Sequence, residues 1–221
     1  MPLSLIHPSS PVVGIWKITE TLQEMLELFQ NSTLYTDDLQ KIQSVKRKYE
    51  WLAVRLLIKR LTGEERPVVY SEHGAPFLSG APYHISISHT KGYAAVILSQ
   101  SPRPGIDIEY RSERTWKLRT KYLSEKELTP FEALPPLRQT GKEERSPQAT
   151  LATLCWCAKE TAYKALQETG VDFIKHLHIA PFPLSEQGIL SLQETKTHQM
   201  ETYHINYRIT HDYILTWSEA K

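Results

Sequence analysis

The sequence predicts an α+β fold of two lobes, each a small antiparallel sheet with packed helices, and three observations predict it. Segments of helical and strand periodicity come in blocks rather than in strict alternation. The order helices-then-strands occurs twice along the chain. A breaker-rich turn, SQSPRPG at 99–105, separates the two rounds. The boundary falls near 100–105, giving an N-terminal lobe of residues 1–102 and a C-terminal lobe of 103–221. No residue-level repeat relates the halves, so an internal duplication is indicated only by the order of elements.

In chain order, TLQEMLELFQN places Leu22, Leu26 and Phe29 at helical spacing and predicts a helix over roughly 20–30. A longer helix is expected from about 37 to 62, opened by Thr36-Asp37 and closed by Gly63. Its apolar side carries Ile42, Val45, Tyr49, Ala53 and Leu56, and Lys41, Lys48, Arg55 and Lys59 form a basic stripe opposite. PVVY, YHISISH and YAAVIL read as strands between Gly- and Pro-containing turns. GIDIEY follows, and as a strand it buries Ile106 and Ile108 while projecting Asp107 and Glu109 from the other face. Helices are then expected near 114–120, 124–132 and 149–168, with the polar stretch 135–148 as an exposed loop. VDFIKHLHI, GILSL, METYHINYRIT and DYILTW read as closing strands.

Bulk composition narrows the function classes. With 221 residues, 40% of them hydrophobic, the chain is long enough for one domain or two fused lobes. The formal net charge of +1 provides no global field for nucleic acid or a membrane surface, so any anion site must be local. The start, MPLSLIHPSSPVVG, lacks the basic and long apolar regions of a secretory signal, and no apolar run would span a bilayer. Cys155 and Cys157 lie two apart on an expected helix, cannot bridge each other there, and read as reduced thiols of a cytoplasmic protein.

Three acids carry the chemical interest. Asp107 and Glu109, about 7 Å apart along one strand, repel each other and suit a divalent cation. In WCAKETAYKAL, Trp156, Glu160 and Lys164 line up at i, i+4, i+8, beside an apolar face of Leu151, Leu154, Cys155, Ala158, Ala162, Ala165 and Leu166. Taken singly, each has an ordinary structural explanation: a solvated Glu–Lys pair, two exposed strand acids, and in SISHT a strand end bearing Ser88 and His89. The basic stripe likewise reads as a solvated face.

In order, HGAPFL, SISHT, GIDIE and W-x-x-K-E-x-x-x-K resemble the signature set of the 4′-phosphopantetheinyl transferases, and more narrowly the larger, two-lobed, surfactin-type group whose single chain forms a pseudodimer. The resemblance runs from about residue 44 to 168, and the strand-rich tail to 218 fits the second lobe. It implies transfer of the 4′-phosphopantetheine arm of coenzyme A to a serine of an apo acyl or peptidyl carrier protein, releasing adenosine 3′,5′-bisphosphate. It implies magnesium, with manganese an alternative, held by Asp107, Glu109 and Glu160. Glu160 would also act as general base, Lys164 contact phosphate, and Lys159 serve as the neighbouring motif lysine on the cofactor. Ser88 and His89 match the pair that contacts the cofactor phosphates. Arg47, Lys48 and Arg55 are the best matches for the helix cations, and Gly74 and Pro76 match the adenine-side loop. Ala75 stands where the family usually has Lys or Arg. Glu127 matches a recurring acid with a supporting role. Arg111, Arg114, Lys117, Arg119 and Lys121 would steer an acidic carrier protein toward an enzyme expected as a monomer. Two other readings stay open: a non-catalytic module binding coenzyme A or a carrier protein, and a metal-dependent phosphohydrolase of coenzyme A-like nucleotides.

Overall fold

A computed structural model of the chain describes residues 3–7, 9–72, 74–132 and 146–219. It divides into two compact units, Met1–Pro102 and Arg103–Lys221. The first contains β1 (Leu3–His7), β2 (Val12–Lys17), α1 (Leu22–Glu27), α2 (Thr33–Lys41), α3 (Val45–Thr62), β3 (Val68–Tyr70), β4 (Pro76–Leu78), β5 (His84–Thr90) and β6 (Tyr93–Ser99). Its strands form one antiparallel sheet in the order β1-β2-β6-β5-β4-β3. Helix α3 packs on β2 and β6, where Leu52, Leu56, Leu57 and Ile58 meet Trp16, Ala94 and Val96 in the core.

The single long helix expected over 37–62 is two helices. Ile42 ends α2 with ψ 114 and Ser44 turns the chain into α3 with ψ 122, its hydroxyl accepting from the Arg47 amide at 3.3 Å. A serine N-cap satisfies an orphan helix amide, so a new helix start competes with continuation. Lys41 therefore belongs to another helix than Lys48, Arg55 and Lys59, and the basic stripe is not continuous. Val45, counted on the apolar side, is 62% exposed. Gly63 does close the helix, in the left-handed region at φ 78. The β1–β2 hairpin has no counterpart in the sequence-based expectation.

The second unit contains β7 (Gly105–Tyr110), α4 (Glu113–Leu118), a 3-10 turn at Arg119–Lys121, α5 (Glu125–Glu132), α6 (Pro147–Leu166), α7 (Phe173–His176), β8 (Leu177–Ile179), β9 (Gln187–Glu194), β10 (Thr202–Ile209) and β11 (Tyr213–Ser218). The antiparallel order is β7-β11-β10-β9-β8. VDFIKHLHI, expected as strand throughout, begins as helix because Asp172 Oδ1 accepts from the Ile174 and Lys175 amides at 2.9 and 3.0 Å. Of the loop expected at 135–148, residues 135–145 lie outside the described ones. Residues 146–148 open α6, with Ser146 as N-cap and Pro147 as first helical residue.

The two units share one plan. Apart from β1, which has no counterpart among the described residues of the second unit, a strand leads into helices, four strands follow, and the last of them pairs with that leading strand: β6 with β2, β11 with β7. Each also has a glycine pressed under its long helix. A Cβ on Gly14 would meet Leu57 at 3.0 Å and Leu61 at 3.1 Å, and one on Gly105 would meet the Thr161 carbonyl oxygen at 2.1 Å and Ala165 at 3.2 Å. In both cases the helix residues are four apart. Counted from those glycines and the helix residues they meet, the places of Asp107, Glu160 and Lys164 fall in the first unit on Trp16, Leu56 and Arg60. Trp16 and Leu56 are core residues. The fold is duplicated; the acids are not.

Candidate active site

Helix α6 is buried over most of its length, with Leu154, Ala158, Ala162 and Ala165 in the core of the second unit and Leu151 and Cys155 in a neighbouring cluster. Alanines at 158, 162 and 165 and the bare backbone of Gly105 let the helix lie close on β7. The strand and helix that were separate suspicions in the sequence thus meet. Lys164 Nζ donates to the Ile106 carbonyl at 2.9 Å and to Asp107 Oδ1 at 2.8 Å. Asp107 is 4% exposed, and its charge is answered from within the protein.

Trp156, Glu160 and Lys164 form a half-buried line along the helix, as their spacing predicted. The Glu160 carboxyl is pushed up to about 7, first by burial and then by the charges of Asp107 and Glu109, with Lys164 opposing. Three hard-oxygen acids, two of which raise the proton affinity of the third, are the donor chemistry of a divalent cation site. They are not gathered as a finished cage: among the described residues no group of three or more His, Cys, Asp or Glu side chains is arranged to hold a metal ion. Lys164 sits on Asp107 instead.

Lys159 differs from its neighbours. It is 0% exposed, and its ammonium is held by the Tyr122 carbonyl at 2.8 Å, the Phe173 carbonyl at 2.9 Å and Glu127 Oε2 at 2.9 Å. Burial pulls its proton affinity down and Glu127 restores part of it. Its donors are used internally, so the geometry gives it a role in holding α5, α6 and α7 together rather than in touching a cofactor. Glu127 completes that hub, accepting from the Ser124 amide at 2.9 Å and the Ile179 amide at 3.0 Å.

In the first unit, Ser88 is buried and His89 half-buried on β5. The His89 ring lies between two side chains of α3: Nε2 meets the Arg47 guanidinium, and Nδ1 is 3.3 Å from Glu50 Oε2. Arg55 is stacked 3.3 Å over the Trp51 ring and donates to the Trp51 carbonyl at 3.1 Å; burial lowers its pKa to about 10. Lys48 is half-buried on the same helix, whereas Lys59 is a structural cation, bound to the Leu28 carbonyl and to Glu65 at 2.7 Å each. Gly74, at φ 80, closes the turn from β3 to β4 by donating to the Ser71 carbonyl at 2.9 Å, and Pro76 opens β4; His73 lies outside the described residues.

The basic run after β7 divides in two. Arg111 is anchored to the Thr210 carbonyl and Thr150, and Arg119 stacks on Trp116. Arg114, Lys117 and Lys121 are exposed. Sequence reasoning missed Glu50 altogether. The signal was there: an acid three residues before Ala53 and seven before Leu57 occupies a core position of the helix.

Residues 103–218, just over half of the chain, match the family model described as the 4′-phosphopantetheinyl transferase superfamily, and the chain belongs to that superfamily. It is 37% identical over 73 residues to the 4′-phosphopantetheinyl transferase AcpT of Salmonella typhimurium strain LT2, covering 32% of this chain and 38% of that protein. It is 35% identical over 96 residues to AcpT of Salmonella typhi, covering 42% of this chain and 50% of that protein. These matches span half or less of the relatives' length. The family match coincides with the unit that carries Asp107, Glu109, Glu160 and Lys164. Among the described residues no helix is long and apolar enough to cross a membrane.

Proposed function

We propose that this protein transfers the 4′-phosphopantetheine arm of coenzyme A to a serine of an apo acyl or peptidyl carrier protein, releasing adenosine 3′,5′-bisphosphate. The observation that carries the reading is the 2.8 Å contact of Lys164 with Asp107, which brings the motif helix onto the acidic strand. The two units of one plan support placement in the larger, two-lobed group of the superfamily.

Attack of a hydroxyl on a pyrophosphate raises negative charge on phosphate oxygens, and a site for it needs fixed cations and a proton acceptor. Asp107, Glu109 and Glu160 are the residues that would hold magnesium, whose contribution is to neutralise that charge. Lys164, pinned by Ile106 and Asp107, presents its ammonium to a phosphate oxygen. Glu160, half-buried beside Asp107 and Glu109, accepts the proton of the serine hydroxyl, directly or through a water. In the first unit, Ser88, His89, Arg47, Lys48 and Arg55 serve the remaining phosphate of coenzyme A. Backbone groups around Gly74 and Pro76 serve its adenine side, which Ala75 leaves intact. Exposed Arg114, Lys117 and Lys121 face an acidic carrier protein in a cytoplasmic encounter. Lys159 and Glu127 position helices and touch neither substrate.

Incubation of the full chain with coenzyme A, magnesium and a panel of apo carrier proteins is expected to add the mass of one phosphopantetheine arm to at least one carrier. Asp107→Ala is expected to stop transfer while the protein stays folded. No mass gain beside a working control enzyme, or full activity of the variant, overturns the reading. Consumption of coenzyme A without a carrier would identify a phosphohydrolase instead.

A further inference from the structure

Glu50 is a carboxylate where helix α3 otherwise buries hydrocarbon. The residue is 5% exposed, and Leu52, Ala53, Val54, Leu56, Leu57 and Ile58 follow it as buried positions. Burying a carboxylate is costly unless charge answers it, and a surface pair gains nothing from such a location. Its partners converge from two elements. Lys46 Nζ is 3.4 Å from Oε1, Arg47 is 3.8 Å from Oε2, and His89 Nδ1 on β5 is 3.3 Å from Oε2. Oε1 accepts no hydrogen bond although it is fully enclosed, so the carboxylate is not there to satisfy a neighbouring backbone group.

The imidazole between Glu50 and Arg47 has one consistent assignment. A guanidinium only donates, so Nε2, which meets Arg47, offers its lone pair; Nδ1 then carries the hydrogen, and it faces Glu50. We propose that Glu50 is the positioning residue of His89: its buried carboxylate holds the ring in the Nδ1–H form and turns the Nε2 lone pair toward Arg47, which fixes the guanidinium for any phosphate that Arg47 holds. The carboxylate reaches Arg47 as well, so one buried acid sets the geometry of the imidazole and the guanidinium together. This pairing of carboxylate, histidine and ligand follows the logic by which a second-layer carboxylate orients a working imidazole. The consequence for coenzyme A rests on the function proposed above; the pairing itself does not.

Two measurements on the full chain separate these layers. Glu50→Met keeps volume and removes the acceptor, and Glu50→Gln keeps an acceptor without its charge. Nitrogen-15 spectra of the His89 ring in the ligand-free protein are expected to show Nδ1–H in the wild type, loss of that preference in Glu50→Met, and partial retention in Glu50→Gln. Coenzyme A affinity by calorimetry is expected to fall roughly tenfold in Glu50→Met, and to fall clearly less when Glu50→Met is added to His89→Ala, where only the direct contact with Arg47 remains to be lost. An Nε2–H ring in the wild type, a ring indifferent to Glu50→Met, or an equal loss in the His89→Ala background overturns the proposal. Thermal unfolding of each variant identifies any that fail to fold, and the ring spectrum of Glu50→Gln then decides. A ring that responds in a protein showing no affinity for coenzyme A upholds the pairing and refutes the functional reading alone.

Discussion

Replacing Gly105 by alanine puts a methyl carbon 2.1 Å from the Thr161 carbonyl oxygen and 3.0 Å from the Thr161 carbonyl carbon. Both are backbone atoms of α6, so no side chain can swing aside. Carbon–oxygen contacts of this kind open to at least 3.0 Å, and helix and strand must separate by about 0.9 Å. Overpacking of this sort costs about 1–3 kcal/mol. The larger effect falls on the site, because Lys164 is three residues along the helix and its bond to Asp107 is 2.8 Å long. A shift of that size breaks the bond or moves Glu160 with it, and misplacement by about 1 Å lowers a rate on the order of 100-fold. Mass spectrometric transfer rates and urea unfolding of Gly105→Ala measure both. Gly14→Ala is the control, since its Cβ meets the ends of two leucine side chains and the places matching Asp107 and Glu160 are held there by the core residues Trp16 and Leu56. Wild-type transfer and stability in Gly105→Ala would refute the argument that close approach builds the site.

Two further outcomes follow from the charges. Glu160 titrates near 7 when folded against an ordinary value of 4.5, so between these pH values the folded state holds the extra proton and stability falls as pH rises, levelling off above 7. Glu160→Gln in chelator-treated protein is therefore expected to be more stable than wild type at pH 8, by on the order of 2 kcal/mol after allowing for partial exposure, and to lose that advantage near pH 4. A pH-independent difference in unfolding would refute the sign. Lys159→Met leaves Glu127 buried without its cation and is expected to cost about 3–5 kcal/mol. Lys159→Met combined with Glu127→Gln should recover part of it, as measured by denaturant unfolding; equal losses would show that the hub is not a coupled pair.

Local signals explain what was legible in the sequence. GIDIEY and the helix around Glu160 could be placed because their periodicities are strong and uninterrupted, and the apolar residues assigned to α6 are all buried. The meeting of the two elements was not visible, since it depends on Gly105 and three alanines whose smallness matters only once a strand lies opposite. The helix break at 42–44 was overlooked because Ile42 and Val45 continue the apolar spacing across it, while the cap at Ser44 is a single hydroxyl. VDFIKHLHI deceived through its β-branched and aromatic content, which one Asp172 cap outweighs. Lys159 and Lys164, five residues apart in one motif, look alike in sequence. Only tertiary burial separates the lysine that braces helices from the lysine that meets Asp107.

Both cysteines of the chain are buried, Cys155 at 4% exposure and Cys157 at 0%. Burial pushes the Cys155 thiol up to about 12 and the Cys157 thiol well above its ordinary range, the latter helped by Asp107 and Glu109. A thiol is nucleophilic only as thiolate. On the function proposed above, the chain works beside coenzyme A, a thiol whose oxidised disulfide form would exchange with any protein thiolate it met. With its own sulfurs enclosed and protonated, this chain offers no partner for a mixed disulfide. If that function holds, the folded chain is insulated from the oxidation state of its coenzyme A supply.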